Sequence, residues 1–169
     1  MYSRAGTIDD EYIRYILETY SAAIIRLCYT YTRNKDDAED MAQEVFVELM
    51  RRDEPFADKN HEKAWLLRTA VNKCKNLLKS SWFKRTVPLE DEYTEYDNGL
   101  DKAEGDNTVM QAVLKLPEKY RTVIHLHYFN DLSIKEISAV TGKNSATVGT
   151  QLARGRELLK NLLKGDIDL

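Results

Sequence analysis

Cysteine, proline and long apolar runs are all scarce in this 169-residue sequence. Cys28 and Cys74 are its only cysteines, too few for a disulfide framework or a four-ligand zinc site. Both fall in helical apolar patterns and are expected to be buried thiols in a reducing cytosol. No apolar run exceeds four residues, as in Ala22 to Ile25 and Ala64 to Leu67, whereas a membrane-spanning helix needs about 20. The first residues run into Asp9, Asp10 and Glu11 without a hydrophobic stretch. Neither a membrane span nor a secretory signal is therefore expected, and the expected location is cytoplasmic. Pro55, Pro88 and Pro117, the only prolines, stand between periodic segments, which leaves the helical patterns uninterrupted.

An excess of positive charge is also missing: 25 Lys and Arg face 28 Asp and Glu, a net charge of −3. Phosphate binding depends on clustered cations rather than on the total, so the distribution decides. Residues 1–85 carry 15 basic and 14 acidic side chains, residues 86–107 carry 1 and 8, and residues 108–169 carry 9 and 6. Within the first block, Asp36 to Asp58 holds nine acids and two bases, whereas Lys63 to Arg85 holds seven bases and no acid. Separate acidic and basic surfaces suggest two different partners, although a solvated charge run is the commoner origin of any one of them.

What is present is helical periodicity. The fold class expected is all-α, with two small helical domains joined by a flexible acidic linker. Residues 1–85 form the first domain, 86–107 the linker and 108–169 the second domain. Ile13, Ile16, Leu17, Tyr20, Ile24, Leu27, Cys28 and Tyr31 recur as in one bent helix or two consecutive ones. Asn34 or Asp36 caps the next helix, whose stripe is Ala38, Met41, Ala42, Val45, Phe46 and Leu49. A loop follows from Arg51 to Asn60, then a helix from about His61 to Ser80 that buries Leu67, Ala70, Val71, Cys74, Leu77 and Leu78. Trp82 and Phe83 are expected to close this domain. The acidic, aperiodic stretch 86–107 cannot bury enough apolar surface to order itself. After it, Asn107 or Thr108 opens a short helix, and Leu116-Pro117-Glu118 starts another.

Ser133 to Leu163 carries the most specific local signal. Ser133-x-x-Glu136 is a capping box, Gly142 supplies a turn, and Asn144 caps a second helix. Ile134, Ile137, Val140, Val148 and Leu152 lie where two crossing helices pack, which is a helix-turn-helix. The second helix buries Val148, Leu152, Gly155 and Leu159, so Ala146, Thr150, Ala153 and Arg154 face outward with Thr147 and Gln151 beside them. Small residues admit such a helix to a major groove, where Thr, Gln and Arg meet base edges and phosphates. Six bases against two acids from Ser133 to Lys164 favour duplex DNA over a plain αα-hairpin. Ser145, Thr147, Thr150, Gln151, Arg154 and Arg156 are the expected contacts. Gly155 fits close helix packing, while Gly149 has no explanation in the sequence.

In the first domain, Asp37, Asp40, Glu44 and Glu48 oppose an apolar stripe, with Gln43 beside them. Catalysis or metal binding by these carboxylates is rejected, because no His or Cys accompanies them. A solvated face and a protein-docking face stand about even. On the next helix Trp65, Arg68, Asn72, Lys75 and Lys79 recur away from the apolar stripe, and Asn60 precedes them at the loop edge. Cations, an amide and an aromatic suit a nucleic-acid strand that stacks and hydrogen-bonds. His125-x-His127 is no metal pair, because i and i+2 on a helix point apart. No catalytic residue, metal or cofactor is expected.

Asp37-Ala38-Glu39-Asp40-Met41-Ala42-Gln43-Glu44-Val45-Phe46, followed by Ala64-Trp65-Leu66-Leu67-Arg68-Thr69-Ala70-Val71-Asn72, strongly resembles region 2 of bacterial sigma factors of the extracytoplasmic-function group. Leu116 to Arg121 and Thr147 to Arg156 are similar to region 4. The resemblance covers nearly the whole chain, in the family's order. It implies a non-enzymatic, dissociable subunit that directs core RNA polymerase to promoters, recognises and melts them, and starts transcription. By motif position Asp37, Glu39, Asp40, Gln43 and Glu44, with Glu48 on the same acidic helix, would meet the polymerase clamp. The basic helix would hold the non-template strand of the minus-ten element, with a pocket in the Pro55 to His61 loop for an extruded base. The second domain would read the minus-thirty-five element as duplex, and the linker would occupy the RNA exit path. Ser138, Thr141, Lys143, Gly149 and Gln151 depart from the family's usual residues. The implied partners are core polymerase, promoter DNA and an anti-sigma factor, often membrane-anchored, around a free monomer. The rival is a two-domain helix-turn-helix regulator that binds duplex operators as a dimer.

Overall fold

The computed structural model describes residues 9–80 and 106–166. The expected linker as far as residue 105, and Trp82 and Phe83, lie outside the described residues. Contacts divide the chain into two compact units, Met1–Leu77 and Leu78–Leu169. Among the described residues there are seven helices and no strand: α1 (Asp10–Thr32), α2 (Lys35–Met50), α3 (Lys59–Lys79), α4 (Asp106–Leu114), α5 (Glu118–Tyr128), α6 (Ile134–Thr141) and α7 (Ser145–Asp166).

In the first unit α1 is a single 23-residue helix. Asp9 caps its start by accepting from the Tyr12 N–H at 2.8 Å. Arg33 ends it in the left-handed region (φ 51°), donating its N–H to the Tyr29 carbonyl at 2.8 Å. Asn34 then opens α2 as expected, its Oδ1 accepting from the Asp37 N–H at 2.9 Å. α1 packs on α2, burying Ile16, Ile24 and Leu27 of the one and Ala38, Ala42, Val45 and Leu49 of the other, and Leu66, Leu67, Ala70 and Val71 of α3 are buried too. Cys28 and Cys74 are free thiols, both fully buried. The hydrogen bond between them and burial push the Cys74 thiol far above its ordinary value, which makes this pair an unreactive part of the core.

Several expectations shift. Phe46, Leu77, Leu78 and Leu159, expected among the buried stripes, are half-buried. Leu17 is 41% exposed rather than part of the stripe, because α1 turns only one side to its neighbours. α3 starts at Lys59, about a turn's half earlier than periodicity suggested, because Asp58 accepts the His61 N–H at 2.8 Å and so caps the first turn. α4 starts at Asp106, which makes the last two residues of the acidic stretch helical.

In the second unit α7 packs against α4, α5 and α6. Val123, Ile124, Leu126, Ile137, Val140, Val148 and Leu152 form the core. Both bonds of the capping box are made: the Glu136 N–H donates to Ser133 Oγ at 3.1 Å and the Ser133 N–H to Glu136 Oε1 at 3.0 Å. Gly142 follows at φ 80°, a conformation in which a side chain is strained. Asn144 caps α7 through the Thr147 N–H at 2.8 Å.

The two glycines of α7 prove unlike. A Cβ on Gly155 would stand 2.8 Å from Ile124 Cγ1 and 3.4 Å from Tyr120 Cβ, so α5 and α7 approach this closely only over a bare backbone. A Cβ on Gly149 would meet Ile134 Cδ1 at 4.0 Å, an ordinary contact. Gly155→Ala is therefore expected to destabilise the second unit by about 1 to 3 kcal/mol through overpacking. Gly149→Ala is expected to stabilise it by up to about 1 kcal/mol through helix propensity. Hydrogen exchange of α5 and α7 amides in the full chain reads both, and equal effects would contradict the assignment.

Candidate functional site

Three helical faces carry the residues singled out above. On α2 the apolar side holds Ala38, Met41, Ala42, Val45 and Leu49, all buried. At about 100° per residue, Asp36, Asp40, Gln43, Val47 and Met50 occupy an arc of about 80° on the opposite side. Asp37, Glu44 and Glu48 line one edge of this arc and Glu39 the other. Asp40, Gln43 and Glu44 are exposed, while Asp37, Glu39 and Glu48 are half-buried. Burial, and then the charges of Asp40 and Asp36, raise the Asp37 carboxyl above its ordinary value. Its ionisation therefore costs the folded unit, a penalty that develops as pH rises through the carboxylate range and is relieved by a cation brought to this face.

Glu48 differs from the others. Its Oε1 accepts from Lys73 Nζ at 3.2 Å and lies 3.8 Å from Arg51 Nη1, so it ties α2 to α3. Val47 and Met50, 38% and 52% exposed, were missed by a reading that followed charge alone. Large apolar side chains left outward beside acids were the available signal.

On α3, Arg68, Asn72 and Lys79 are exposed, and Trp65 and Lys75 half-buried. These five span about 80° of the helix, away from Leu66, Leu67, Ala70, Val71 and Cys74. Asn60 is exposed at the helix start, about a sixth of a turn further round. Trp65 belongs neither to the core nor to open solvent. Its ring lies 5.6 Å from that of Phe56, and the Arg52 guanidinium sits 4.1 Å from the Phe56 centroid and 5.4 Å from the Trp65 centroid. His61 meets Phe56 edge-on at 5.2 Å and accepts the Ala57 N–H on Nδ1 at 3.0 Å. The loop before α3, residues 51–58, is thus organised with His61 and Trp65 of the helix around an aromatic and cationic stack, to which Arg52 and Phe56 are additions.

The start of α3 is fastened to α1 by an unforeseen cluster. Glu62, 6% exposed, accepts hydroxyls from Tyr12 at 2.6 Å, Tyr15 at 3.3 Å and Tyr20 at 3.2 Å. Burial first, and then the Glu62 charge, push the Tyr20 phenol far up. Ten tyrosines against four phenylalanines were the available hint, since buried phenols need acceptors.

On α7, Val148, Leu152 and Gly155 are buried. Thr147, Gln151 and Arg154 share an arc of about 60°, Thr150 lies next to them, and Ser145 and Arg156 lie about 180° and about 160° from Arg154, on the far side. The six expected contacts therefore do not form one stripe. Thr150 donates its hydroxyl to the Ala146 carbonyl at 3.0 Å. Arg154, and then Lys119, lower the Tyr120 phenol. Gln151 Oε1 accepts from Lys143 Nζ at 3.1 Å. His125 stacks on Phe129 at 5.0 Å, whereas His127 Nδ1 lies 2.8 Å from the Leu132 carbonyl, so the two histidines do not converge.

Residues 16–84 match the family described as Sigma-70 region 2, and residues 106–159 the one described as Sigma-70, region 4. The chain is 32% identical over 163 residues to the ECF RNA polymerase sigma factor SigW of Bacillus subtilis (strain 168), with 88% of this chain and 87% of the relative covered. It is 31% identical over 144 residues to RNA polymerase sigma factor SigV of the same strain, covering 84% and 86%. Two solved structures share the fold. The sigma factor RpoE in complex with the anti-sigma factor NepR, from Bartonella quintana, matches at TM-score 0.68 and 20% identity, covering 94% of this chain and 100% of that one. CnrH in complex with the cytosolic domain of CnrY matches at TM-score 0.64 and 21% identity, covering 97% and 95%. With matches in the order region 2 then region 4, and whole-length relatives, the chain belongs to the extracytoplasmic-function group of sigma-70 RNA polymerase sigma factors, the promoter-directing initiation factors.

Proposed function

We propose that the two units divide the work of initiation between three faces. The outward side of α2, with Asp40, Gln43 and Glu44 at its centre and Asp37 and Glu39 beside them, docks on a basic surface of core RNA polymerase. Val47 and Met50 add apolar contact there. Glu48 contributes mainly by holding α2 to α3. The α3 face, with Asn60, Trp65, Arg68, Asn72, Lys75 and Lys79, takes the opened non-template strand. Trp65 offers a stacking surface and the cations follow the backbone. Phe56 and Arg52 shape the loop in which an extruded base is received. Thr147, Thr150, Gln151 and Arg154 on α7 read duplex DNA, while Ser145 and Arg156 reach the phosphates beside the groove.

Promoter opening on this scheme captures bases that have already flipped, so it needs no nucleotide hydrolysis and the chain is not an enzyme. The free protein is a monomer in the cytoplasm, and no described helix is long and apolar enough to cross a membrane. Its off-state comes from an anti-sigma partner, the relationship named for RpoE with NepR.

The observation that carries this reading is the charge separation within the first unit: exposed Asp40 and Glu44 on α2, exposed Arg68 and half-buried Lys75 on α3. Run-off transcription with purified core polymerase, with and without the protein, tests it. Added protein is expected to direct specific initiation, and unchanged promoter-independent transcription would overturn the reading. Arg68→Ala with Lys75→Ala is expected to reduce permanganate reactivity of unpaired promoter thymines at least about tenfold, because two backbone contacts to a single strand are lost. Initial duplex binding should fall much less. Equal losses in both assays would contradict strand holding by α3.

A further inference from the structure

The turn between α6 and α7 is built around Lys143. Its carbonyl accepts the Ser138 hydroxyl at 2.5 Å and its N–H donates to Thr141 Oγ1 at 3.3 Å. Thr141 in turn donates that hydroxyl's proton to the Ile137 carbonyl at 2.7 Å. The backbone of Lys143 is therefore held from both sides, and its side chain extends along α7 to place Nζ 3.1 Å from Gln151 Oε1. Both side chains are half-buried, so the bond is shielded from part of the competing water.

This bond removes an ambiguity that side-chain amides ordinarily carry. A glutamine amide has an acceptor end and a donor end of nearly the same shape, and it serves either as the contact requires. Lysine has three donors and no acceptor, so an amide facing Nζ must turn its oxygen to the ammonium and its NH₂ away. A glutamine with both ends available pairs with adenine, accepting from N6 and donating to N7. Gln151 Oε1 keeps a second lone pair, but with the ammonium already on it that oxygen is a poor acceptor for N6. A base amino group approaching Oε1 would come up beside a positive charge and a proton already in place. What remains are two N–H donors, which suit guanine O6 and N7 or thymine O4 and oppose the cytosine N4 amino group.

We propose that Lys143 is a specificity-determining positioning residue: by engaging Gln151 Oε1 it turns the Gln151 NH₂ to the base, which favours guanine or thymine over adenine or cytosine at the position it faces. The inference rests on the reading of α7 as the duplex-recognition helix. It concerns which bases that helix prefers, and it assigns the task to a residue of the turn.

The test is selection of bound duplexes, by the full chain assembled with core polymerase, from a promoter library randomised across the upstream element. The unmodified protein should enrich guanine or thymine at one position that Gln151→Ala renders indifferent. Lys143→Met, which keeps the aliphatic stem, should move that position towards adenine by at least about fivefold while leaving its neighbours unchanged. The Gln151→Ala background should make Lys143→Met silent there. Lys143→Arg, still purely a donor, should retain the original preference. An unchanged preference in Lys143→Met overturns the proposal. So does a uniform loss at every position, accompanied by a salt slope smaller by about 1, which is the mark of a phosphate contact. If the unmodified assembly enriches nothing, the promoter-reading role itself fails, a result separable from failure of the lysine's role.

Discussion

Glu62→Ala is expected to lower the stability of the first unit by about 3 kcal/mol, as befits a buried carboxylate with several charge-assisted hydrogen bonds. Glu62 accepts from Tyr12, Tyr15 and Tyr20, and Tyr12 is itself buried, at 5% exposure. Truncation removes the carboxylate acceptor from a buried phenol, which costs more than the bond itself contributes. Glu62→Gln should cost about 1 kcal/mol, because an amide oxygen still accepts and a phenol oxygen can accept from the amide NH₂. Denaturant unfolding of the full chain, with hydrogen exchange of α1 and α3 amides, measures both variants. A loss under about 1 kcal/mol in the alanine variant would show that the cluster is solvated and unimportant.

The same cluster sets a direction for alkaline behaviour. The Tyr20 phenol is raised in the folded state, so the unfolded chain ionises first. The stability Tyr20 contributes is complete below the ordinary tyrosine value of about 10 and is lost as pH rises above it. Tyr20→Phe should make the first unit less sensitive in that range. Loss of the cluster would also release the start of α3, where Asn60 and Trp65 stand, so strand capture should weaken along with stability.

Asp40→Lys with Glu44→Lys is expected to weaken binding to core polymerase by about a hundredfold or more, because each reversal replaces an attraction by a like-charge contact. Both carboxylates are exposed on the outward side of α2, so the fold should tolerate the change. Duplex binding by α7 should remain as it was. Glu48→Gln is the informative comparison. Its partner is Lys73 at 3.2 Å, within the protein, so its removal should cost polymerase affinity far less than reversal of Asp40 and Glu44. Titration of labelled protein with core polymerase at two salt concentrations reads both variants. Unchanged affinity in the double reversal, or a parallel loss of duplex binding, would refute docking through α2.

How far these features could be seen in advance depended on their range along the chain. The Ser133–Glu136 capping box, the Asn34 and Asn144 caps and the Gly142 turn bond partners three or four residues away, and such spacing is written directly in the residue order. The apolar stripe of α2 follows for the same reason. The start of α3 was misplaced because Asp58 lies within an acidic run and does not stand out as a cap until its bond to the His61 N–H is seen. Glu62 was passed over because its three partners lie 42 to 50 residues away. Arg156 does not share a face with Arg154, because side chains two residues apart on a helix point nearly opposite ways.

The sequence by itself determined the helices, their caps, the two apolar stripes of the first unit and the sign of charge on each exposed face. All of these arise from hydrogen bonds and side-chain neighbours within a turn or two, where the backbone period alone sets which residues meet. Only the tertiary structure decided which of the charged side chains are available and which are already engaged. Glu62 and Glu48 turned inward to tyrosines and a lysine, and Gln151 was oriented by Lys143 across a turn, because such partners are chosen by how helices cross.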